Sequence, residues 1–324
     1  NRGGVRNALR FDDLCQIDIP EIDLSTQLSL LKEIQSYSAT FDSLSHESSS
    51  QSSYLTKLRQ EILQEAIEGK LTAGWRKENL GRKGDPDYDA EALLEKIKAE
   101  KEKLIKEGKI KKQKPLAPIK AEEMPFELPE GWVWCRLEDY GLLLGGGTPT
   151  TTVPEYWNGS IPWVSPKDMK TSFISESIDS ITEKGLAESS AKLIPAGSIL
   201  FVVRGMILQH TFPVGVNIKP VTINQDMKAL IPYIHESRFF LAKMLKGYSN
   251  RILALTNTST HGTKRLEYSQ SYSSLLYPLP PLAEQQTIVD RVENLLAMVD
   301  ELEKQVTERK EQSEQLMQAV LREA

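Results

Sequence analysis

The sequence predicts an α+β fold: one globular domain of mixed helices and short strands, plus two long antiparallel helices forming a coiled coil. Three observations lead there. A long segment occurs twice, both copies carry apolar residues at a 4-3 spacing, and the stretch between them alternates short apolar runs with glycine and proline.

The repeat comes first. Leu24–Ala66 and Leu282–Ala324 align without a gap, with Leu58-Arg-Gln-Glu-Ile-Leu-Gln-Glu-Ala66 lying over Leu316-Met-Gln-Ala-Val-Leu-Arg-Glu-Ala324. A proline-bearing lead-in precedes each copy, Ile17-Asp-Ile-Pro20 in one and Tyr277-Pro-Leu-Pro-Pro281 in the other. The 4-3 spacing selects Ile34, Tyr37, Phe41, Leu44, Leu55, Leu58 and Ile62 in the first copy. In the second it selects Ile288, Val292, Leu295, Val299, Leu302, Val306, Leu316 and Val320. An apolar stripe two positions wide per heptad suits a coiled-coil seam, and a helix of about 40 residues is about 60 Å long. Polar residues interrupt both seams at Ser48, Gln51, Arg309 and Ser313, where they cost stability and can fix register. The serine-rich stretch His46–Ser53 is a middling helix former. Its gapless match within Glu303–Glu311, which holds no breaker, favours one continuous helix. The first helix ends where the middle domain begins and the second starts where that domain ends. Both junctions therefore lie together, and the helices are expected to pack antiparallel.

Five segments follow: 1–21, the stub of an earlier unit; 22–72, the first long helix; 73–125, a charged linker with a short helix; 126–281, the middle domain; and 282–324, the second long helix. The linker's charged helix (Asp89–Glu107) and basic run (Lys109–Lys114) read mainly as solvated surface. In the middle domain, Ile199–Val203 and Val221–Ile223 read as strands and Phe239–Leu245 as a helix. Leu128–Trp134 reads as a leading strand with its tryptophans on the core, in preference to a base-stacking platform.

Composition bounds the function. The 324 residues are 40% hydrophobic and 26% charged, with a formal net charge of −5. Such a chain is no generic cationic nucleic-acid coat, so a DNA-binding surface would have to be local. No apolar run approaches the roughly 20 residues of a membrane span. No signal peptide is visible, and a start at Asn1 suggests a fragment or processed chain. Two distant cysteines, Cys15 and Cys135, make neither a disulfide framework nor a zinc cluster and suit a reducing cytoplasm.

Catalytic patterns are wanting. Gly145-Gly-Gly-Thr-Pro149 lacks the lysine of a nucleotide-binding loop, and no Asn/Asp-Pro-Pro-Tyr/Phe box is present to hold a flipped adenine. His46, His210, His235 and His261 share no metal-ligand spacing, so no metal site is expected. What remains is recognition chemistry. Asn257-Thr-Ser-Thr-His-Gly-Thr-Lys-Arg265 packs hydroxyls, an amide, an imidazole and two cations around one glycine, and such a loop can address base edges and phosphates together. The DNA-binding candidates are Thr148, Thr150, Lys167, Lys170, Arg204, Gln209, His210, Asn257, Ser259, His261, Thr263, Lys264 and Arg265. All lie in polar loops flanking predicted strands, where binding residues concentrate.

One family shares this order of motifs. Leu128-Pro-x-Gly-Trp-x-Trp134, Gly146-Gly-Thr-Pro149, Trp157-x-Gly-x-Ile-Pro-Trp163, Ile194-Pro-x-Gly-Ser198 and Pro278-Leu-Pro-Pro-Leu-Ala-Glu-Gln-Gln-x-Ile288 resemble the specificity subunits of type I restriction–modification systems. The last motif is the most specific of the set. Family members carry two target-recognition domains, each followed by a conserved helix. This sequence resembles a truncated member with both helices and one complete second recognition domain. The resemblance implies a non-catalytic subunit that reads one half of a bipartite double-stranded DNA target. Its helices would set the spacing and dock modification (methyltransferase) subunits, and through them restriction subunits. Methyl donor and ATP would then sit on the partners, with no cofactor on this chain and no membrane association. The truncated form could self-associate. The alternative is a non-enzymatic coiled-coil adaptor whose middle domain binds protein, and salt-dependent duplex binding discriminates the two.

Overall fold

The computed structural model describes residues 15–16, 21–79, 82–112, 118–258, 262–267 and 272–323. In chain order the helices are α1 (Leu24–Ile67), α2 (Ala73–Asn79), α3 (Ala90–Lys106), α4 (Leu137–Tyr140), α5 (Glu183–Ala187), α6 (Arg238–Gly247), α7 (Ser249–Ala254) and α8 (Leu282–Glu323). The strands are β1 (Val133–Arg136), β2 (Gly141–Gly145), β3 (Trp157–Val164), β4 (Phe173–Ile174), β5 (Asp179–Ile181), β6 (Ile199–Val202), β7 (Val214–Asn217), β8 (Thr222–Ile223), β9 (Met227–Pro232), β10 (Thr256–Thr258), β11 (Lys264–Leu266) and β12 (Leu276–Leu279). The fold is α+β, as expected, and α1 runs unbroken through the serine-rich stretch. The expected stub falls almost wholly outside the described residues.

The chain divides into two compact units, Lys57–Val299 and the pairing of residues 1–56 with 300–324. The larger unit is built on a five-stranded sheet, order β2-β9-β6-β7-β4, and a three-stranded sheet, order β5-β3-β8. All pairings are antiparallel except β4–β7 and β3–β8. The apolar run Ile199-Leu-Phe-Val202 forms the buried middle strand of the larger sheet, which is why it lacks alternation. Helix α6 buries Phe240, Leu241, Met244 and Leu245. Strand β1 pairs antiparallel with β12, so the domain's first and last strands lie side by side.

The charged stretch after α1 is more than a solvated linker. Asp89 caps α3, accepting from the Glu91 amide at 2.9 Å, and the helix buries Ala90, Leu93 and Ile97. Its Lys101 ammonium lies 5.8 Å from the centre of the Tyr233 ring. Apolar residues at i, i+4 in a Lys/Glu-rich helix are enough to dock one face.

The Pro278–Gln286 motif proves structural. Glu284, in the first turn of α8, is wholly buried. Its carboxylate accepts from the Thr72 hydroxyl (2.6 Å), the Arg76 guanidinium (2.5 Å) and the Trp132 indole (2.7 Å). It thereby joins the segment after α1, the approach to β1 and the start of α8. Gln285 donates to the Pro280 carbonyl at 3.0 Å. Gly69 ends α1 in the left-handed region (φ 70°), a helix stop that favours glycine.

In the smaller unit the two long helices form the antiparallel coiled coil, with Phe41, Leu44, Ser45 and Ser48 lining a narrow crevice with Lys310, Ser313 and Glu314. The facing stripe differs from the 4-3 reading along one of its two lines. Ile34, Phe41 and Ser48 turn inward on α1, and Val306, Ser313 and Val320 do so on α8. Tyr37 and Leu44, by contrast, are exposed, and Ser38 and Ser45 take their places; Leu302 and Leu316 are exposed as well, with Met317 turned inward beside the latter. Small serines let a neighbouring backbone approach, a preference that apolarity alone does not signal. Leu55, in the smaller unit, is buried; in the larger unit Ile62, Ile288, Val292 and Val299 are buried and Leu295 is half-buried, while Leu58 is exposed.

Candidate nucleic-acid interface

Strand polarity collects the polar loops. Strand β6 ends at the same edge of the large sheet as β2, because both are antiparallel to β9; β7 and β9 begin there, and β4, parallel to β7, also starts there. The parallel pair β3–β8 joins the cluster at its C-terminal end, where the Asn224 amide donates to the Val164 carbonyl at 2.9 Å. Loops from many parts of the sequence therefore meet on one surface.

The glycine triplet Gly145–Gly147 serves close packing. Its φ angles are ordinary, but a Cβ on Gly146 would collide with the Asn224 carbonyl oxygen and one on Gly147 with the Ser190 backbone. The Gly147 amide donates to the Ile223 carbonyl at 2.9 Å. Trp163 and Trp157 donate indole N–H bonds to the carbonyls of Gly147 (2.9 Å) and Thr150 (3.2 Å), and their rings meet edge-on at 5.2 Å. These tryptophans pack on the Ile161–Ile181–Ala191 cluster, so they hold the loop. Thr148 donates its hydroxyl to the Gln225 side-chain carbonyl, and Thr150 is exposed.

Next to this loop, Arg204 pairs with Asp226. Asp226 also fixes the chain, its carbonyl accepting from the amides of Val203 (2.8 Å) and Arg204 (3.1 Å). An isolated bridge ties Arg204 to Arg265 on β11, and the Gly205 amide donates to the Lys264 carbonyl at 2.9 Å. The β10–β11 hairpin places Asn257 opposite Arg265 and Thr258 opposite Lys264, whose ammonium donates to the Thr258 hydroxyl at 2.9 Å. Arg265 also pairs with Glu267. These ion pairs are solvent-exposed, where a pair contributes about 0–1 kcal/mol, so a phosphate can replace the carboxylates at small cost. Gln209 and His210 lie exposed on the turn that follows Gly205.

Thr148, Thr150, Arg204, Gln209, His210, Asn257, Lys264 and Arg265 therefore share one surface, with half-buried Thr263 on the same hairpin. Lys167 and Lys170 are exposed on the segment leading into β4, at the same end of the sheet, without a described side-chain contact to the group. Ser259 and His261 lie outside the described residues. Sequence reasoning missed Gln225 and Asp226. Their signal is a polar turn, Asn224-Gln-Asp226, between two short apolar runs. Among the described residues no cluster of His, Cys, Asp and Glu could hold a metal ion, and no helix is long and apolar enough to cross a membrane. Cys15 and Cys135 are free thiols; burial pushes the Cys135 thiol well above its ordinary pKa.

A domain whose polar loops gather at one end of its sheets, in a chain that also carries two long paired helices, has the parts of a recognition module. The chain belongs to the type I restriction modification DNA specificity domain family, whose model matches residues 129–312. It is 40% identical over 176 residues to the specificity subunit of the type I restriction enzyme EcoR124I/EcoR124II of Escherichia coli, covering 54% of this chain and 42% of that protein. It is 30% identical over 201 residues to the MjaIX specificity subunit of Methanocaldococcus jannaschii, covering 60% and 43% respectively. The crystal structure of the HsdS subunit from Thermoanaerobacter tengcongensis aligns over 99% of this chain and 63% of that one, with a TM-score of 0.47 and 18% identity. The chain thus spans less than half the length of these two curated relatives.

Proposed function

We propose that this chain is a non-catalytic DNA-reading component of a type I restriction–modification complex, working in the cytoplasm. The convergence of the Thr148, Arg204 and Lys264–Arg265 loops at one end of the sheets carries this reading, since family membership alone does not say which surface meets DNA. Cations around the rim would bind phosphates and set position, while Thr148, Gln225, Gln209, His210 and Asn257 supply the donors and acceptors that discriminate base edges. Modification subunits would bind methyl donor and carry out methylation, restriction subunits would consume ATP, and this chain would bind no cofactor. The long helices would set the distance between half-sites, as protein geometry sets half-site separation in dimeric readers.

The test is methylation-site mapping in cells carrying the intact system, before and after substituting Gln225→Ala and Asn257→Ala. A relaxed preference confined to one half of a bipartite site is the expected result. An unchanged site in both variants would refute the assignment of this surface. Adding whole helical turns to both long helices should alter the spacer and leave the bases read unchanged.

A further inference from the structure

The polar surface carries two apolar side chains that its chemistry does not absorb. Met206 and Ile207 are 56% and 37% exposed, whereas Leu208 beside them is buried at 2%. They occupy a 3-10 turn directly after Arg204, and Gly205 enters that turn at φ 142°, a conformation that favours glycine. The turn is fastened at both ends. Gly205 donates to the Lys264 carbonyl at 2.9 Å, and the amides of His210 and Thr211 donate to the Ile207 carbonyl at 3.1 and 2.9 Å. Leu208 plugs the turn into the domain. The backbone is thus held so that two apolar side chains are presented between Arg204 on one side and Gln209 and His210 on the other.

We infer that Met206 and Ile207 form the apolar part of the base-reading surface and pack against thymine 5-methyl groups in the major groove; this rests on the DNA-reading function proposed above. Charge complementarity selects the occupant. Arg204, Lys264 and Arg265 border the turn and suit phosphates, so DNA seated on them meets the tip with its groove. In an undeformed groove the thymine methyl is the apolar group that B-DNA offers there. A tip anchored by backbone hydrogen bonds loses little freedom on binding, which suits a discriminating contact.

The test uses the full chain assembled with the methyltransferase subunits of its system, with the mapped duplex as probe. Met206→Ala and Ile207→Ala are made singly and together, and each half-site thymine is replaced in turn by deoxyuridine, which removes only the methyl. One desolvated methyl is worth about 0.8 kcal/mol, so at least one deoxyuridine should weaken wild-type binding about fourfold. That same substitution should have little effect on the double variant. Equal losses for wild type and variant, no loss at any thymine, or a half-site without an A·T pair would overturn the inference while leaving the reading function intact. Failure of the wild-type complex to prefer any sequence would overturn both. Met206→Gln, which keeps length but adds polarity, should behave like the alanine variant if methyl contact is what matters.

Discussion

Replacing Glu284 by alanine probes the junction at which the domain meets both long helices. The carboxylate is wholly buried and receives hydrogen bonds from Thr72, Arg76 and Trp132. Its removal strands the Arg76 guanidinium, whose side chain is only 14% exposed, and leaves the Trp132 indole N–H without its acceptor. Breaking a buried ion pair by removing one partner costs about 3–5 kcal/mol, largely because the remaining charge stays desolvated. For a cooperative unit of this size each kcal/mol lowers Tm by about 2–4 °C, so a fall of roughly 6–20 °C is expected. Thermal and urea melts of the full chain, followed by circular dichroism, measure it. The double variant Arg76→Met plus Glu284→Leu removes both charges together and should recover much of the loss. A fall of less than about 1 kcal/mol in the single variant, or no recovery in the double, would refute the idea that a buried charge network holds this junction.

Three further outcomes are expected. Lys264→Ala with Arg265→Ala should weaken duplex binding and reduce the slope of log K against log salt by about 2, as measured by anisotropy titrations at several salt concentrations. Gly146→Ala forces a methyl group into the Asn224 carbonyl and should cost about 1–3 kcal/mol in urea melts while lowering sequence selectivity. Asp89→Ala should cost about 1 kcal/mol at pH 7 through loss of the α3 cap. Asp89 is held below the usual carboxylate range by the Gly84 amide first, with help from Glu91 and Ala92. The stabilisation from its charge is therefore fully present above the unfolded value near 3.9 and lost as pH falls through the lower folded value. Asp89→Asn should accordingly fall short of wild type at pH 7, and the gap should begin to narrow only once the pH drops below about 3.9.

Much of this architecture was legible because it rests on local patterns. The repeat and its periodicity announced α1 and α8, and the apolar run Ile199–Val202 announced the middle strand of the large sheet. The inward positions Ser38 and Ser45 were not legible, because helix–helix closeness selects small size and the apolar pattern pointed to Tyr37 and Leu44 instead. At the loop surface, residue types alone pointed to Thr148, Arg204 and the Lys264–Arg265 hairpin, which the fold brings to the same end of the sheets. What could not be read was their company. Asp226 reaches Arg204, and Gln225 reaches Thr148, only through strand order, which is a long-range property. The Glu284 network shows the converse, since the most diagnostic motif in the sequence buries its charge inside the fold and leaves none of it for a ligand.

The clasp of β1 against β12 has an evolutionary corollary. Two neighbouring strands sit about 4.8 Å apart, so the polypeptide leaves the domain almost where it arrived. A different domain whose ends close in the same way would need only those two splice points to be grafted in, with the flanking helices unchanged in sequence. Under the DNA-reading function proposed above, such a layout would let sequence preference diversify by exchange of the segment between those two strands.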